Sequence, residues 1–437
     1  MNNGRDSFKG KKIVVMGLGL LGGALNDTIF LAEHGAELLI TDLKSEEQLK
    51  YSLDKLKKYK NIKYVLGEHR LEDFKNADMI LEPGNAPLDS IYLSEAEKNN
   101  IPVYVSESLF AEKADGVFLI GITGTRGKST TTQLIYEILN SAKFQGKNVF
   151  LGGNVKNVST LSLLEKVKTG DVVVMELDSW ALGGMGLIKR SPNIAVFTNL
   201  MDDHLNYYKG DKELYFEDKA NIYKYQKKED VLVCGKDVSE KIGKTKSKKI
   251  VTNVEDVPKD WKPNLVGKHN FENIACAIAV AKEFGIEEEK IKKVVENFKG
   301  VSGRMEFVKE VEGVKIYNDT TATTPDATIA GLKALSKEKN VILIAGGADK
   351  GLDMGKLILA IPKYCKDVVL LEGTGTVKLG LKNYLVYKNL SEAVAQAFKR
   401  AKKGDTILFS PAFASFGMFK NEFDRGEKFM DIIKKMK

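Results

Sequence analysis

The sequence predicts an α/β protein built from three parallel-sheet domains, and three segments carry that prediction. Each begins with a strand that runs into a glycine turn. The first, "KKIVVMGLGLLGGALNDTIFLAEHGAELLITD" at 11–42, reads as strand, glycine turn, helix and a second strand ending on Asp42. The second, "VFLIGITGTRGKSTTTQLIYEIL" at 117–139, reads as strand, loop and helix. The third opens with "NVILIAGGADKG" at 340–351, and "DVVLLEGTGT" and "DTILFSPAFASF" follow it at helix-like separations. Strands that alternate with helices need crossover connections and hence run parallel, and ligands of such sheets sit at the strands' carboxyl ends. At 437 residues the chain exceeds one ordinary core. Boundaries are expected near 110, after "SESLFAEKADG", and near 302, at "FKGVSGRME". These give a Rossmann-like N-terminal domain (1–110), a central domain (111–302) and a Rossmann-like C-terminal domain (303–437).

Composition narrows the class. Hydrophobic residues at 43% and charged residues at 29% describe a soluble globular protein. Apolar runs such as "VVVM" at 172–175 are strand-sized, so no membrane span is expected, and the N-terminus has no apolar signal core. Three scattered cysteines, Cys234, Cys276 and Cys365, form neither a metal spacing nor a disulfide framework, which points to a reducing cytoplasm. The net charge of +8 comes mostly from lysines interleaved with glutamates. Its main cluster, "KIGKTKSKK" at 241–249, has no aromatic residue for base stacking, so no nucleic-acid partner is expected. A solvated surface and a pull on small anionic substrates both fit this charge.

The motifs fall at strand ends. Gly17-x-Gly19-x-x-Gly22 follows a strand, opens a helix and has Asp42 twenty residues beyond its last glycine, which is the dinucleotide fingerprint. A pyrophosphate-bearing ligand, NAD, or plain structural glycines all satisfy it. "EPGNAP" at 82–87 ends a later strand and offers backbone N–H groups, from Gly84 and Asn85, to the same edge. The loop "GITGTRGKST" departs from the general phosphate loop, because the position that should hold the first glycine is Ile122. It still supplies a strand, slim turns at Gly124 and Gly127, Lys128 for β- and γ-phosphates, and Ser129 or Thr130 for Mg²⁺. The central domain therefore reads as a parallel sheet of the P-loop ATPase type. "DVVVMELDSW" ends its apolar run on Glu176, placed either to serve a magnesium ion or simply to terminate a strand. "IAVFTNL" at 194–200 is a further strand, and it brings His204 to the same sheet edge. Asn270 and Asn273 share a face at a helix start, where Asn273 either reads an adenine edge or caps the helix. Asp319 lies near the end of a short strand, before a helix begun by Pro325 or Asp326, and Lys350 sits in a glycine-lined loop suited to an anion.

Taken in order these segments resemble the Mur ligase family, ATP-dependent amide-forming ligases of peptidoglycan synthesis. The resemblance runs through Gly124 to Thr130, Glu176, "DDHLNYY" with His204, "YFEDKANIYKY" with Lys219, "GKHNFENIACA", "GRME", "YNDTTAT", "GGADKG" and "SPAFASFGMFKNEFDRGEKF". It implies that a UDP-linked muramoyl-alanine binds at Gly17, Leu20, Leu21, Gly22, Asp42, Pro83, Gly84, Asn85 and Asn154. It implies that ATP lies between the second and third domains, held by Gly124, Thr125, Arg126, Gly127, Lys128, Ser129, Thr130, Asn273, Arg304 and Asp319. Lys128, Glu176, His204 and Lys219 would form the catalytic group, and Ser129, Glu176, His204 and a carbamylated Lys219 would hold two Mg²⁺ ions. Thr323, Lys350, Ser415 and Phe423 would grip D-glutamate. Read from the residues alone, Lys219 is a surface lysine.

The chain departs from the family pattern in places. Arg126 stands for asparagine, and Asp178 and Trp180 stand for serine and phenylalanine. Gly303, Thr321 and Glu422 stand for histidine, lysine and an aromatic residue. The last two lie near the amino-acid site, and with Gly303 they leave a Mur-type ligase for another amino acid as the alternative. A dehydrogenase would leave the phosphate loop, Glu176 and the Lys350 segment without a role. A regulatory ATPase would release phosphate with no amide product. A monomer is expected.

Overall fold

The computed structural model describes residues 8–18, 23–143, 146–155, 158–204, 207–381 and 384–436. The expected site residues Leu20, Leu21 and Gly22 lie outside the described residues. The chain divides into two compact units, residues 1–257 with 272–291, and residues 258–271 with 292–437.

The first unit holds two sheets. One comprises β1 (Lys12–Met16), β2 (Glu37–Asp42), β3 (Ile62–Leu66), β4 (Met79–Leu81) and β5 (Val103–Tyr104), all parallel in the order β3-β2-β1-β4-β5. The other comprises β6 (Phe118–Thr123), β7 (Val149–Gly153), β8 (Val172–Glu176), β9 (Ile194–Phe197), β10 (Val231–Gly235) and β11 (Lys248–Thr252). These are also parallel, in the order β11-β10-β9-β6-β8-β7. Strands covered on both faces read as unbroken apolar runs, and every residue of β8 is buried. Alternate residues serve opposite faces. Ile13, Val15, Met79 and Leu81 enter the core shared with the second sheet, while Val14, Met16 and Ile80 enter a smaller core with Phe74 and Ala96.

The second unit holds β12 (Glu306–Val311), β13 (Val314–Asn318), β14 (Val341–Ala345), β15 (Cys365–Leu371), β16 (Val386–Tyr387) and β17 (Thr406–Phe409), in the order β12-β13-β17-β14-β15-β16. Only the β12–β13 pair of this sheet is antiparallel. Here too the pleat divides the core, with Val341, Leu343 and Ala345 on one face and Ile342 and Ile344 on the other.

The strand order, though not the strand direction, reverses beside β1 in the first sheet and beside β6 in the second, and crevices open at the carboxyl ends of the strands at such switch points. Gly17 follows β1, residues 82–85 follow β4, and the loop 124–127 follows β6. The strand expected at 194–200 stops at Phe197, because Thr198 to Met201 leave the sheet to hydrogen-bond the loop after β6. Among the described residues no helix is long and apolar enough to cross a membrane.

Candidate active site

The loop after β6 has a shape that only glycine permits at two places. Gly124 has φ +146°, and a Cβ there would stand 1.9 Å from Thr198 Oγ1 and 3.1 Å from the Asn199 nitrogen. Gly127 has φ +82°, and a Cβ there would stand 2.1 Å from Asn273 Oδ1. Gly127 is also the N-cap of the helix Lys128–Ser141 and, having no side chain, makes no cap bond of its own. First-turn N–H groups gathered at the positive end of a helix suit an anion. Lys128 folds back so that Nζ donates to the carbonyls of Gly124 (3.0 Å) and Thr125 (3.3 Å).

The residues after β9 brace this loop. Thr125 N–H donates to Asn199 O (3.0 Å), and Thr125 Oγ1 accepts from Met201 N–H (2.9 Å). Arg126 N–H donates to Asn199 Oδ1 (2.9 Å), while its carbonyl accepts from Thr198 Oγ1 (2.6 Å) and Asn199 Nδ2 (3.1 Å). The Arg126 guanidinium donates to Asp203 Oδ2 at 3.1 Å. Burial pushes the Asp203 carboxyl up, but Arg126, then His204 and Lys128, outweigh it and hold the group below the ordinary carboxylate value.

His204 has φ +52°, a left-handed backbone that costs a non-glycine residue about 1–2 kcal/mol. Its ring packs on Trp180, with centroids 4.7 Å apart. Burial, opposed by Asp203 and aided by Lys128 and Lys219, pushes the imidazole below its ordinary pKa, so it is neutral at pH 7 and able to ligate a metal. Glu176 ends β8 in register with Ile122 on one side and Gly153 on the other, and is buried. Its carbonyl accepts from Asn154 N–H (2.9 Å), which fixes Asn154 at the same edge.

Lys219 overturns the surface reading: it is 1% exposed. Asp211 caps the helix Lys212–Lys224, which turns Lys219 inward so that Nζ donates to Gly124 O (3.1 Å) and Thr123 Oγ1 (3.3 Å) over the Tyr215 ring. Burial, followed by the charge of Lys128, holds this amine well below its ordinary pKa. A neutral lysine amine is a nucleophile. Among the described residues no three His, Cys, Asp or Glu side chains gather as a ready metal centre.

At the first sheet, Asp42 accepts from Leu18 N–H and from Lys44 N–H, both at 2.9 Å, and so fixes the turn after β1. Glu82 accepts from Gly84 N–H (2.8 Å) and shapes the Pro83–Asn85 turn, and burial lifts its carboxyl to about 7. Asn273, expected either at an adenine edge or as a helix cap, lies inside the helix Lys268–Glu283 and is buried.

In the second unit the loops after β13, β14 and β17 meet. Asp319 accepts from Ser410 Oγ (2.8 Å) and Met305 N–H (3.0 Å), and burial lifts its carboxyl to about 7. Lys350 Nζ donates to Thr323 Oγ1 at 3.3 Å, which brings together two of the residues expected around the amino acid. Ser415 is buried beside Ala414, which pairs with Ala348. Phe423 lies in the first turn of the helix Glu422–Lys435, and Arg304 is exposed.

Sequence reasoning missed Arg425. It is 1% exposed and donates from Nε to Thr320 Oγ1 (3.1 Å), from Nη2 to Thr320 O (2.7 Å) and from Nη1 to Phe413 O (3.2 Å). It thereby ties the Asp319–Thr323 loop to the loop of Ser415. Its signal was scarcity. The chain has only seven arginines among 67 basic residues, and Arg126, Arg304 and Arg425 all lie in these segments.

Comparison with known proteins finds relatives along nearly the whole chain. The Mur ligase middle-domain model matches residues 122–261, and the Mur ligase glutamate ligase domain model matches 303–413. The UDP-N-acetylmuramoylalanine--D-glutamate ligase of Borreliella burgdorferi strain ZS7 is 36% identical over 98% of each chain. The enzyme of that name from Roseiflexus sp. strain RS-1 is 35% identical over 97% of this chain and 98% of its own. Among solved structures, the UDP-N-acetylmuramate-alanine ligase of Thermotoga maritima matches 98% of this chain and 100% of its own, with TM-score 0.61 and 17% identity. The MurF ligase of Thermotoga maritima in complex with ADP matches 98% of this chain and 95% of its own, also with TM-score 0.61, at 18% identity. The fold is therefore shared with both.

Proposed function

The chain belongs to the Mur ligase family, and we propose that it joins D-glutamate to UDP-N-acetylmuramoyl-L-alanine, converting ATP to ADP and phosphate. The observation that carries this reading is identity of 36% sustained over 98% of both chains with a relative of that name.

The residues supply the chemistry. The muramoyl-alanine carboxylate attacks the γ-phosphate of ATP, so two anions must meet. The helix N-terminus after Gly127 and the ammonium of Lys128 offset that repulsion. Ser129, Glu176, the neutral His204 imidazole and a carbamylated Lys219 suit two Mg²⁺ ions, which when bound screen the phosphate charge. The depressed pKa of Lys219 favours carbamylation, because carbon dioxide adds to the neutral amine with loss of one proton. The resulting acyl phosphate is attacked by the D-glutamate amine, and the tetrahedral adduct expels phosphate. Thr323, Lys350, Ser415 and Phe423 orient D-glutamate, while Asn273, Arg304 and Asp319 hold the adenosine. Gly17, Asp42, Pro83 to Asn85 and Asn154 hold the UDP-sugar.

We assign 1–110 to a Rossmann-like UDP-sugar domain, 111–302 to the ATP-binding domain and 303–437 to a Rossmann-like amino-acid domain. The strand order β3-β2-β1-β4-β5 supports the first assignment. ATP and a UDP-sugar as substrates fit a cytoplasmic reaction. Lys128→Ala is expected to abolish ATP-dependent amide product, followed by chromatography of the UDP-linked species; normal turnover would remove the phosphate-loop reading.

A further inference from the structure

We infer that Arg126 is a positioning residue, which sets the His204 imidazole beside the phosphate loop through the Asp203 carboxylate. The inference rests on the reading of 124–130 as the nucleotide loop.

The base of the arginine is fixed on both sides. Its N–H is held by Asn199 Oδ1, and its carbonyl by Thr198 Oγ1 and Asn199 Nδ2. From that anchor the guanidinium reaches Asp203 Oδ2 at 3.1 Å. The other oxygen of the same carboxylate, Oδ1, accepts from the backbone N–H of His204 at 3.0 Å. One carboxylate thus spans a loop side chain and the backbone of the next residue. That residue is His204, whose left-handed φ of +52° needs outside support. The His204 ring also packs on Trp180, in the first turn of the helix Ser179–Leu187 beyond Glu176. The pair is half-buried, with side-chain exposures of 36% for Arg126 and 24% for Asp203, so solvent screens it only in part. Removing the guanidinium takes one donor from Asp203 and loosens the bond that holds the His204 backbone. A direct phosphate contact by Arg126 would make a different prediction, since it would operate whatever stood at position 203.

The test uses the full chain with Arg126→Ala, Arg126→Lys, Asp203→Asn and the double variant Arg126→Ala/Asp203→Asn. Arg126→Gln keeps more side-chain bulk should the alanine variant not fold. Each loss variant is expected to lower kcat by about tenfold to a hundredfold, the usual effect of a small misplacement. The KM for ATP is expected to move less than about threefold, as for an interaction absent from ground-state binding. The double variant should fall no further than the worse single, because both remove one linkage. Arg126→Lys should recover most of the rate, as it keeps the charge though not the fork. In the ligand-free protein, amide exchange across 198–204 should quicken in both single loss variants. A raised KM for ATP in Arg126→Ala, with kcat and exchange at wild-type levels, would overturn the inference, as would additive losses in the double variant. Wild-type turnover with D-glutamate is measured alongside. Its absence would sink the reading of the reaction while the exchange data still decide the inference.

Discussion

Gly124→Ala puts the geometry of the phosphate loop to a quantitative test. The added carbon would lie 1.9 Å from Thr198 Oγ1, with the Asn199 backbone nitrogen and oxygen at 3.1 and 3.2 Å closing off retreat. The φ of +146° is itself a glycine conformation, which costs another residue about 1–3 kcal/mol. Thr198 must swing away, giving up its bonds to Arg126 O (2.6 Å) and Thr123 O (3.2 Å) at about 1 kcal/mol each. The sum, about 3–5 kcal/mol, is below the roughly 5–15 kcal/mol that holds a domain folded, so the protein survives with its loop displaced. A loop moved by about 1 Å should cost about a hundredfold in rate. Urea unfolding and ADP release are the assays, with Gly210→Ala as the control. Gly210 also has positive φ, +83°, but nothing lies within 4 Å of an added carbon. The control should therefore lose only about 1–2 kcal/mol and no activity. Equal stability in the two variants, with Gly124→Ala turning over normally, would refute the tight-loop argument.

Two further outcomes follow from buried charges. Arg425→Met should raise the KM for D-glutamate about tenfold and leave that for the UDP-sugar unchanged, because it frees the loops of Thr323 and Ser415 from each other. Unfolding should show a loss of about 3–5 kcal/mol from the carbonyls of Thr320 and Phe413 left bare; an unchanged KM and stability would remove its positioning role. Burial lifts Asp27 from 3.8 to about 6 despite the 2.8 Å hydrogen bond from Ser159 Oγ. The folded state then binds the proton more tightly than the unfolded one, so stability is lost as pH rises from about 4 to 6 and stays lost above. Asp27→Asn should therefore gain up to about 3 kcal/mol over wild type at pH 7 and little at pH 4, read by urea unfolding at both; no difference between the two pH values would contradict it.

Much of the layout was legible because strand ends are written in sequence. β2 ends on Asp42 and β8 on Glu176, where buried apolar runs meet a carboxylate, and the helix after β13 begins at Pro325. Residues whose role depends on a distant partner were not legible. Lys219 sits among charged neighbours on a helix with little amphipathic contrast, and its burial comes from packing against Thr123 and Gly124, nearly a hundred positions earlier. Arg425 reads as surface in "NEFDRGEKF" until the loops of Thr320 and Phe413 close around it. The partner of Arg126 was equally hidden, since Asp203 is 77 positions away. The end of β9 was misplaced because β-branched Thr198 and apolar Leu200 continue the strand pattern of "IAVF", yet Thr198 and Asn199 bond the loop instead.

The amino acid joined to the UDP-sugar defines the reaction. The most direct measurement is phosphate release and amide product with ATP, Mg²⁺ and UDP-N-acetylmuramoyl-L-alanine across a panel of D- and L-amino acids. D-glutamate is expected to give product and phosphate in equal amounts, far above the blank. If D-glutamate gives no more than the blank while another amino acid gives both products, the assignment is contradicted.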